Sequence, residues 1–323
     1  MKKIFILIAL LITTTNLFCQ QDTTRVPFVA YWSIGDSYNF KITKTHKEWK
    51  KDKVSKDEKN EYTAYFTVID STANSYTIRW GFDNYLADSY DIPEEYMKLF
   101  EKYDFLEILY TTDETGTFNE ILNWEELGKT LSTMIDELVN VLGKDNKELF
   151  DILTKTMKPV KTAYITKEGI ENLLVPELKI FHFPLGIEID TRLPFYYVDQ
   201  LPNLFGGGYI KSNAKLYIDK VDFEENFCVL KQESSLDQND VKSMLTEFFE
   251  KMEFEGKYKD ATMVMDTILN NSEITIDDNN IYEYYYYPGI PHRIEVNREV
   301  LINMDGDKAR RNDKVIIELL YEE

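Results

Sequence analysis

The chain has little of the chemistry on which most enzymes depend: its 323 residues include two cysteines and three histidines. Cys19 closes an N-terminal leader, so Cys228 is the only thiol expected in the mature chain and no intrachain disulfide can form. The histidines at 46, 182 and 292 are far apart, and none has a second histidine or cysteine at metal-ligand spacing. We therefore expect no metal site and no cofactor, and Cys228, in the apolar run "NFCVL", as a buried and unreactive thiol.

Sequence motifs of catalysis and phosphate binding are also missing. No Gly-x-Ser-x-Gly elbow and no His-Glu-x-x-His helix occurs, and "FGGGY" at 205–209 lacks the Lys-Ser/Thr of a phosphate-binding loop. "DGDKARRND" at 305–313 starts like a calcium loop but places alanine and arginines at the later ligand positions. No catalytic residue can be assigned. The 57 aspartates and glutamates allow many carboxylate pairs, so a hydrolase with an unrecognised site stays as a third hypothesis.

The chain has one apolar run that resembles a targeting signal, and it lies at the N-terminus. Lys2 and Lys3 precede nine apolar residues, Ile4 to Ile12, a run too short to span a bilayer. Signal peptidase cleavage after Cys19 would leave a periplasmic protein that starts at Gln20. The alternative is lipidation of Cys19, which would give an outer-membrane lipoprotein, although Phe18 stands where lipoprotein signals have a small residue. No later segment is expected to cross a membrane.

Negative charge dominates the chain, with a formal net charge of −20 that becomes −22 once residues 1–19, with two lysines and no acids, are removed. Such a chain repels phosphate backbones and anionic lipid headgroups, which argues against nucleic acid as a partner.

Most of the sequence alternates apolar and polar residues between turn signals, which is typical of antiparallel hairpins. Turns are predicted near 73–74, 114–116, 224–226, 288–289 and 305–306. Helices are predicted from Pro93 to Tyr103, from an Asn123 cap to Gly143, over 146–157 ending before Pro159, from about Thr166, and from an Asp237 cap. The stretch 181–208 contains three prolines and Gly-Gly-Gly, which favours loops and edge strands and a connector between halves.

Together these patterns predict an α+β fold: one large curved antiparallel sheet, half-barrel-like and of about ten strands, with several helices packed on one face. Residues 1–19 form a signal peptide, and residues 20–323 form a single domain. Hairpin-then-helix units at about 105–142 and 212–252 indicate two similar halves, about 20–180 and 181–323.

Aromatic residues supply the one hint of a binding site. In "IYEYYYYPGIPHRIEVNREV" (281–300), Glu283 marks the solvent side of the first strand. Tyr282, Tyr284 and Tyr286 then share the inward face, and Pro288-Gly289 forms the turn. Tyrosines can line a cavity for a hydrophobic ligand, or they can simply fill the core of a sheet.

The predicted outline of hairpins and helices resembles the half-barrel of the periplasmic proteins that carry lipoproteins to the outer membrane. The "GDSYNF", "GGGYIKSNAKLYI" and "PGIPHRIEV" segments also resemble secreted proteins of Bacteroidota. The first resemblance implies a hydrophobic ligand or lipidated partner in the concavity of the sheet; the second implies secretion and no particular activity.

Two other hypotheses for the function are therefore preferred to a hydrolase. The first is a non-catalytic periplasmic protein that binds a lipid, another hydrophobic ligand or a lipidated partner in the concave face. The second is a structural or protein-interaction module of the envelope with a filled core, which binds another envelope protein through an exposed strand.

Overall fold

A computed structural model describes residues 24–83, 107–173, 176–202, 209–251, 269, 271–304 and 307–321. The strands are β1 (Arg25–Pro27), β2 (Ser37–Lys50), β3 (Lys53–Thr72), β4 (Ser75–Asp83), β5 (Ile108–Asp113), β6 (Phe118–Ile121), β7 (Glu188–Asp190), β8 (Phe195–Pro202), β9 (Tyr209–Asp222), β10 (Phe227–Leu236), β11 (Glu273–Tyr285), β12 (Ile290–Met304) and β13 (Asp307–Leu320). The helices of these ranges are α1 (Trp124–Gly143), α2 (Lys147–Tyr164), α3 (Lys167–Leu173), α4 (Pro176–His182) and α5 (Gln238–Lys251).

Eleven of the strands form one antiparallel sheet in the order β6-β5-β4-β3-β2-β13-β12-β11-β10-β9-β8. The sheet is open, because β6 and β8 lie at its two ends instead of pairing with each other. β1 and β7 form a separate two-stranded ribbon. The predicted α+β class, with one large antiparallel sheet and several helices, is confirmed.

Predicted turns account for four of the hairpins that the structure describes. The chain reverses at 73–74, 114–117, 223–226 and 286–289, while the predicted turn at 305–306 lies outside the described residues. β2 and β3 are longer than their apolar patterns indicate, because charged residues pair across them up to a turn at Lys51 and Asp52. Lys41 contacts Glu61 at 2.8 Å, and further along Lys47 contacts Asp57 at 3.0 Å.

The main core lies between the sheet and α4. Phe181 of α4 packs against Phe40, Phe66 and Trp80, with ring centroids 5.2–5.6 Å apart. The N-terminal segment around Phe28 crosses the same region, where the Phe28 N–H donates to the carbonyl of residue 187 at 2.9 Å. Several large aromatic side chains are thereby removed from water, which supplies much of the driving force for folding.

Two details of the predicted helices are corrected. α1 begins directly after Asn123 and ends at Gly143, as predicted, but Asn123 does not cap it through its side chain. Its amide instead bonds the backbone before and within β5, accepting from Leu109 N–H and donating to Glu107 O at 2.9 Å each. α2 continues through Pro159 to Tyr164, although an interior proline removes one helical hydrogen bond and crowds the preceding turn.

Other helix starts agree with prediction. Asp237 Oδ1 accepts the N–H groups of Asn239 and Asp240 at the start of α5, and Thr166 Oγ1 accepts from Gly169 N–H before α3. The helix predicted over 93–103 lies outside the described residues. Strands of both predicted halves join the same sheet. Their similarity, and the domain bounds at 20–323, stay predictions.

Candidate functional site

The three tyrosines predicted to face inward lie on the helix-covered side of the sheet. Tyr282 and Tyr284 are 2% and 0% exposed, and Tyr286, just beyond β11, is half-buried. Tyr287, in the turn after β11, is 59% exposed. The predicted orientation of this strand is therefore confirmed for Tyr282 and Tyr284.

Protein side chains fill the space next to these tyrosines. Tyr284 donates its hydroxyl to the Phe181 carbonyl at 3.2 Å and meets the Phe28 ring edge-on at 5.8 Å. Tyr282 stacks on Phe183 at 5.2 Å. Burial raises the pKa of both phenols, so they stay neutral. A ligand at Tyr282, Tyr284 and Tyr286 would have to displace these rings, and a binding role for them stays a prediction.

A row of charged residues crosses the same face farther along the strands. Asp278, Arg298, Asp313 and His46 are successive cross-strand partners on β11, β12, β13 and β2. Arg298 donates to both oxygens of Asp278 at 2.7 Å, and His46 Nδ1 lies 2.6 Å from Asp313 Oδ1. The row separates the core around Phe181 from a smaller apolar cluster under α5.

The charged side chains of this row are paired with each other or with neighbouring side chains of the sheet. His46 has a carboxylate at each ring nitrogen, since its Nε2 lies 3.0 Å from Glu48 Oε1. Burial raises the pKa of Asp313, but hydrogen bonds from Arg311 and His46 outweigh that effect and lower it overall, so Asp313 stays ionised. Across the described ranges, no three His, Cys, Asp or Glu side chains are arranged to hold a metal ion. The row therefore consists of paired charges on the sheet and does not present an unpaired base that could act in catalysis.

His182 and Cys228 are core residues. His182 Nδ1 lies 2.7 Å from the Gly116 carbonyl, which can only accept, so Nδ1 carries the proton and Nε2 accepts from Tyr110 Oη at 2.8 Å. Burial lowers the pKa of His182 to about 4, so the ring is neutral. Burial also raises the pKa of the Cys228 thiol to about 12, which agrees with the predicted unreactive thiol.

The most exposed apolar surface of the described chain lies at the β8 edge of the sheet. Leu193, Phe195, Tyr196, Val198 and, on neighbouring β9, Tyr209 are between 57% and 69% exposed. We call these five residues the β8 apolar edge. β8 pairs with β9 on one side, and no described strand pairs with its other side. Sheet edges of this length and character are ready templates for another chain.

The opposite edge of the sheet is protected in the ways natural proteins use. β6 has only four residues. Its Ile121 N–H donates to Glu171 Oε1 of α3 at 3.2 Å, and Lys167 of the same helix pairs with Glu120. The edge at β6 is thus short and occupied by helix side chains, whereas β8 has eight residues and no described strand on its free side.

An open groove of about 580 Å³ runs beside the β8 apolar edge, across β8 to β11. Strand alternation places its two cross-strand rows on the face opposite the helices: Tyr196, Lys215, Glu233 and Asn279, then Val198, Asn213, Ser235 and Asp277. The groove therefore continues the apolar edge into a polar floor that carries two acids, Glu233 and Asp277, and one lysine, Lys215.

The pattern of residues 181–208 predicts loops and edge strands but does not indicate a binding surface. The signal was present in "LPFYYVDQLP", where Pro194 and Pro202 bracket a run of aromatic and aliphatic residues. Proline is confined to sheet edges and strand ends, so a hydrophobic run between two prolines indicates an apolar edge strand.

No protein family and no curated protein matches the sequence. Among solved structures, lipovitellin from a study of its lipid–protein interactions aligns with a TM-score of 0.45 and 10% identity over 90% of this chain and 25% of that chain. The outer membrane protein OprG from Pseudomonas aeruginosa aligns with a TM-score of 0.11 and 5% identity over 88% of this chain and 95% of its own. The chain thus spans a quarter of the lipovitellin chain. Both similarities are too distant to assign a function. No helix in the described part of the chain is long and apolar enough to cross a membrane.

Proposed function

We propose that this protein is a non-catalytic binding protein of the bacterial envelope that recognises a partner protein through the β8 apolar edge. The observation that carries the proposal is the exposure of five large apolar residues on and beside β8, whose free side has no strand partner among the described residues. Exposed apolar surface of this kind marks interaction sites in soluble proteins.

The filled core supports a binding module over a carrier with a deep internal cavity. Tyr282 and Tyr284, the residues predicted to line such a cavity, are packed against Phe183, Phe181 and Phe28. The contrast between the protected β6 edge and the apolar β8 edge supports a site at β8, because both edges face the same risk of aggregation.

Site-specific photo-crosslinking in the native cell tests the proposal. A photoreactive phenylalanine at Tyr196 is expected to give one discrete adduct with another protein. The matched control carries the same photoreactive phenylalanine at Tyr287, which is similarly exposed but remote from β8. Equal, diffuse labelling from both positions, or no adduct from Tyr196, would contradict the proposal.

The leader sequence supports a place in the periplasm, or at the outer membrane through Cys19. Cell fractionation and the mass of the mature N-terminus test this part. A chain that begins at Gln20 in the periplasmic fraction is the expected result, and a diacylated Cys19 would establish the lipoprotein alternative. A chain that keeps residues 1–19 in the cytoplasm would contradict both.

A second candidate function is the binding of a lipid, another hydrophobic ligand or a lipidated partner on the helix-covered face. The observation that favours it is the cluster under α5, where four buried apolar residues are surrounded by six that are only partly buried, among them Met244, Ile276 and Ile302. Its charged boundary at Asp278 and Arg298 would suit an amphiphilic ligand.

Lipid extraction of protein purified from its native envelope tests this second function. Near one lipid per chain is expected, and Met244→Glu should abolish it. Ser243→Glu, which adds the same charge on the exposed side of α5, should leave it intact. Folded protein without lipid would reject this candidate and leave the first untouched.

A further inference from the structure

We infer that the partner binds β8 by strand addition: an extended segment of another protein, carrying apolar residues and one lysine or arginine, becomes the twelfth strand of the sheet. This inference rests on the proposed function and specifies its mode of recognition and the chemistry of the partner. Strand addition uses main-chain hydrogen bonds for affinity and alternate side chains for specificity.

The backbone of β8 offers the template. All eight of its residues, Phe195 to Pro202, are in register with β9, from Phe195 opposite Leu216 to Pro202 opposite Tyr209. The peptide groups that point away from β9 have no strand beside them within the described ranges. Eight residues span roughly 26 Å, the length of a typical strand, so an added segment can pair along most of β8.

The side chains of β8 present apolar surface on both faces of the sheet. On the helix side, Phe195 stacks on Tyr197 with ring centroids 5.6 Å apart. On the opposite side, Tyr196 and Val198 stand at the rim of the groove. Cross-strand neighbours on the same face contact each other directly. A complementary segment therefore carries aromatic or β-branched residues on both of its faces opposite 195–198.

The charge on β8 specifies a basic residue in the partner. Asp199 is the only charged residue of the strand; it accepts the Gln200 N–H at 2.8 Å, and it forms no ion pair with the described residues. A lysine or arginine placed opposite Asp199 would complete a cross-strand pair.

The same charge argues against a second copy of this chain as the occupant. β8 contains no lysine or arginine, so antiparallel pairing of β8 with itself leaves both Asp199 side chains without a cation in every register. Two chains of net charge −20 also repel each other at low ionic strength.

Synthetic strands test the inference on the intact mature protein. The probes are decapeptides of alternating valine and threonine with one lysine moved along the sequence, and the readout is hydrogen exchange of the β8 amides together with peptide affinity. We expect at least one peptide to slow exchange in β8 but not in β6. Methylation of the peptide nitrogens that face β8 should abolish binding, and methylation of the alternate nitrogens should not.

Charge reversal identifies the contact with Asp199. Replacing the lysine of the best peptide by glutamate should weaken binding by about fivefold, and Asp199→Lys should reverse that preference. Val198→Lys, which charges the edge, should abolish binding, whereas Asn119→Lys on β6 serves as the control and should have no effect.

The outcomes separate the two proposals. Peptides that bind at β8 whichever nitrogens are methylated would overturn strand addition and leave the proposed function standing. A stable dimer at low salt that protects β8 would overturn the heterologous partner. If no peptide slows exchange in β8, the inference is wrong, whereas failure of Tyr196 crosslinking in cells would reject the proposed function itself.

Discussion

At the scale of single residues, the acid stability of the fold depends on His182. In the folded chain burial lowers its pKa to about 4 from an ordinary value of 6.5, while the Gly116 carbonyl and Asp113 act weakly in the other direction. The unfolded chain therefore binds a proton first as the pH falls. Stability that is fully present above pH 6.5 is lost between pH 6.5 and 4, by about 3 kcal/mol in total.

The measurement is urea unfolding of wild type and His182→Gln from pH 7.5 to 5. We expect the variant to be less stable at pH 7.5 but to lose much less of its stability on acidification. His292→Gln, which removes a partly exposed histidine that contacts Tyr321, is the control and should keep the wild-type slope. Glu61 and Asp190, with pKa values of about 2, contribute their losses at lower pH. Equal slopes for wild type and His182→Gln would contradict this account.

At the scale of elements, the turn between β11 and β12 depends on the close approach of its backbone to the N-terminal segment at Val29. Gly289 has φ +89°, and a β-carbon added there would lie 2.5 Å from the Val29 carbonyl oxygen. Gly35 has a similar φ of +96° with open space around it. Gly35→Ala should lower the free energy of unfolding by about 1 to 2 kcal/mol, the cost of the left-handed backbone alone. Gly289→Ala should lower it clearly more, and equal losses in urea unfolding would refute the packing argument.

The exposed apolar edge at β8 is expected to make the isolated protein aggregate at high salt. Net charge keeps chains apart at low salt, but at about 0.5 M salt this repulsion is largely screened and the apolar edge becomes an aggregation site. Light scattering at high salt should therefore increase for wild type and much less for Val198→Lys. Asn119→Lys on the protected β6 edge is expected to behave like wild type. Val198→Lys that scatters as much light as wild type at high salt would contradict aggregation through β8.

The sequence predicts helices, strands and turns correctly where interactions between residues close in sequence determine them. Period-two alternation identifies the hairpins, and Asp237 identifies the start of α5, because those signals act within a few residues. Asn123 has the same local signal, yet its amide bonds the backbone of β5, a contact that depends on tertiary structure. β2 and β3 extend past their apolar pattern because lysines on one strand meet acids on the other, and that register is not visible in one segment alone.

At the scale of the whole molecule, the sheet has a helix-covered side with a filled core and an exposed apolar edge at β8. The class of fold and the inward tyrosines follow from sequence pattern, but the order of strands does not, because β13 pairs with β2 across nearly the whole chain. The pairing of β13 with β2 joins the N-terminal and C-terminal strands into one sheet and leaves β6 and β8 at its two edges. The apolar run 193–198 becomes a candidate site only once β8 is known to be at an edge, so its role could not be predicted from the residues themselves.

Hydroxyl-radical footprinting of tyrosines in intact cells and on the purified protein tests the central claim most directly. Tyr196 and Tyr209 at the β8 edge and Tyr31 and Tyr287 far from it are all more than half exposed in the isolated chain. Partner binding at β8 predicts that Tyr196 and Tyr209 lose most of their reactivity in cells while Tyr31 and Tyr287 keep theirs. Tyr196 and Tyr209 that remain as reactive in cells as Tyr31 and Tyr287 would contradict the claim that β8 is the binding edge.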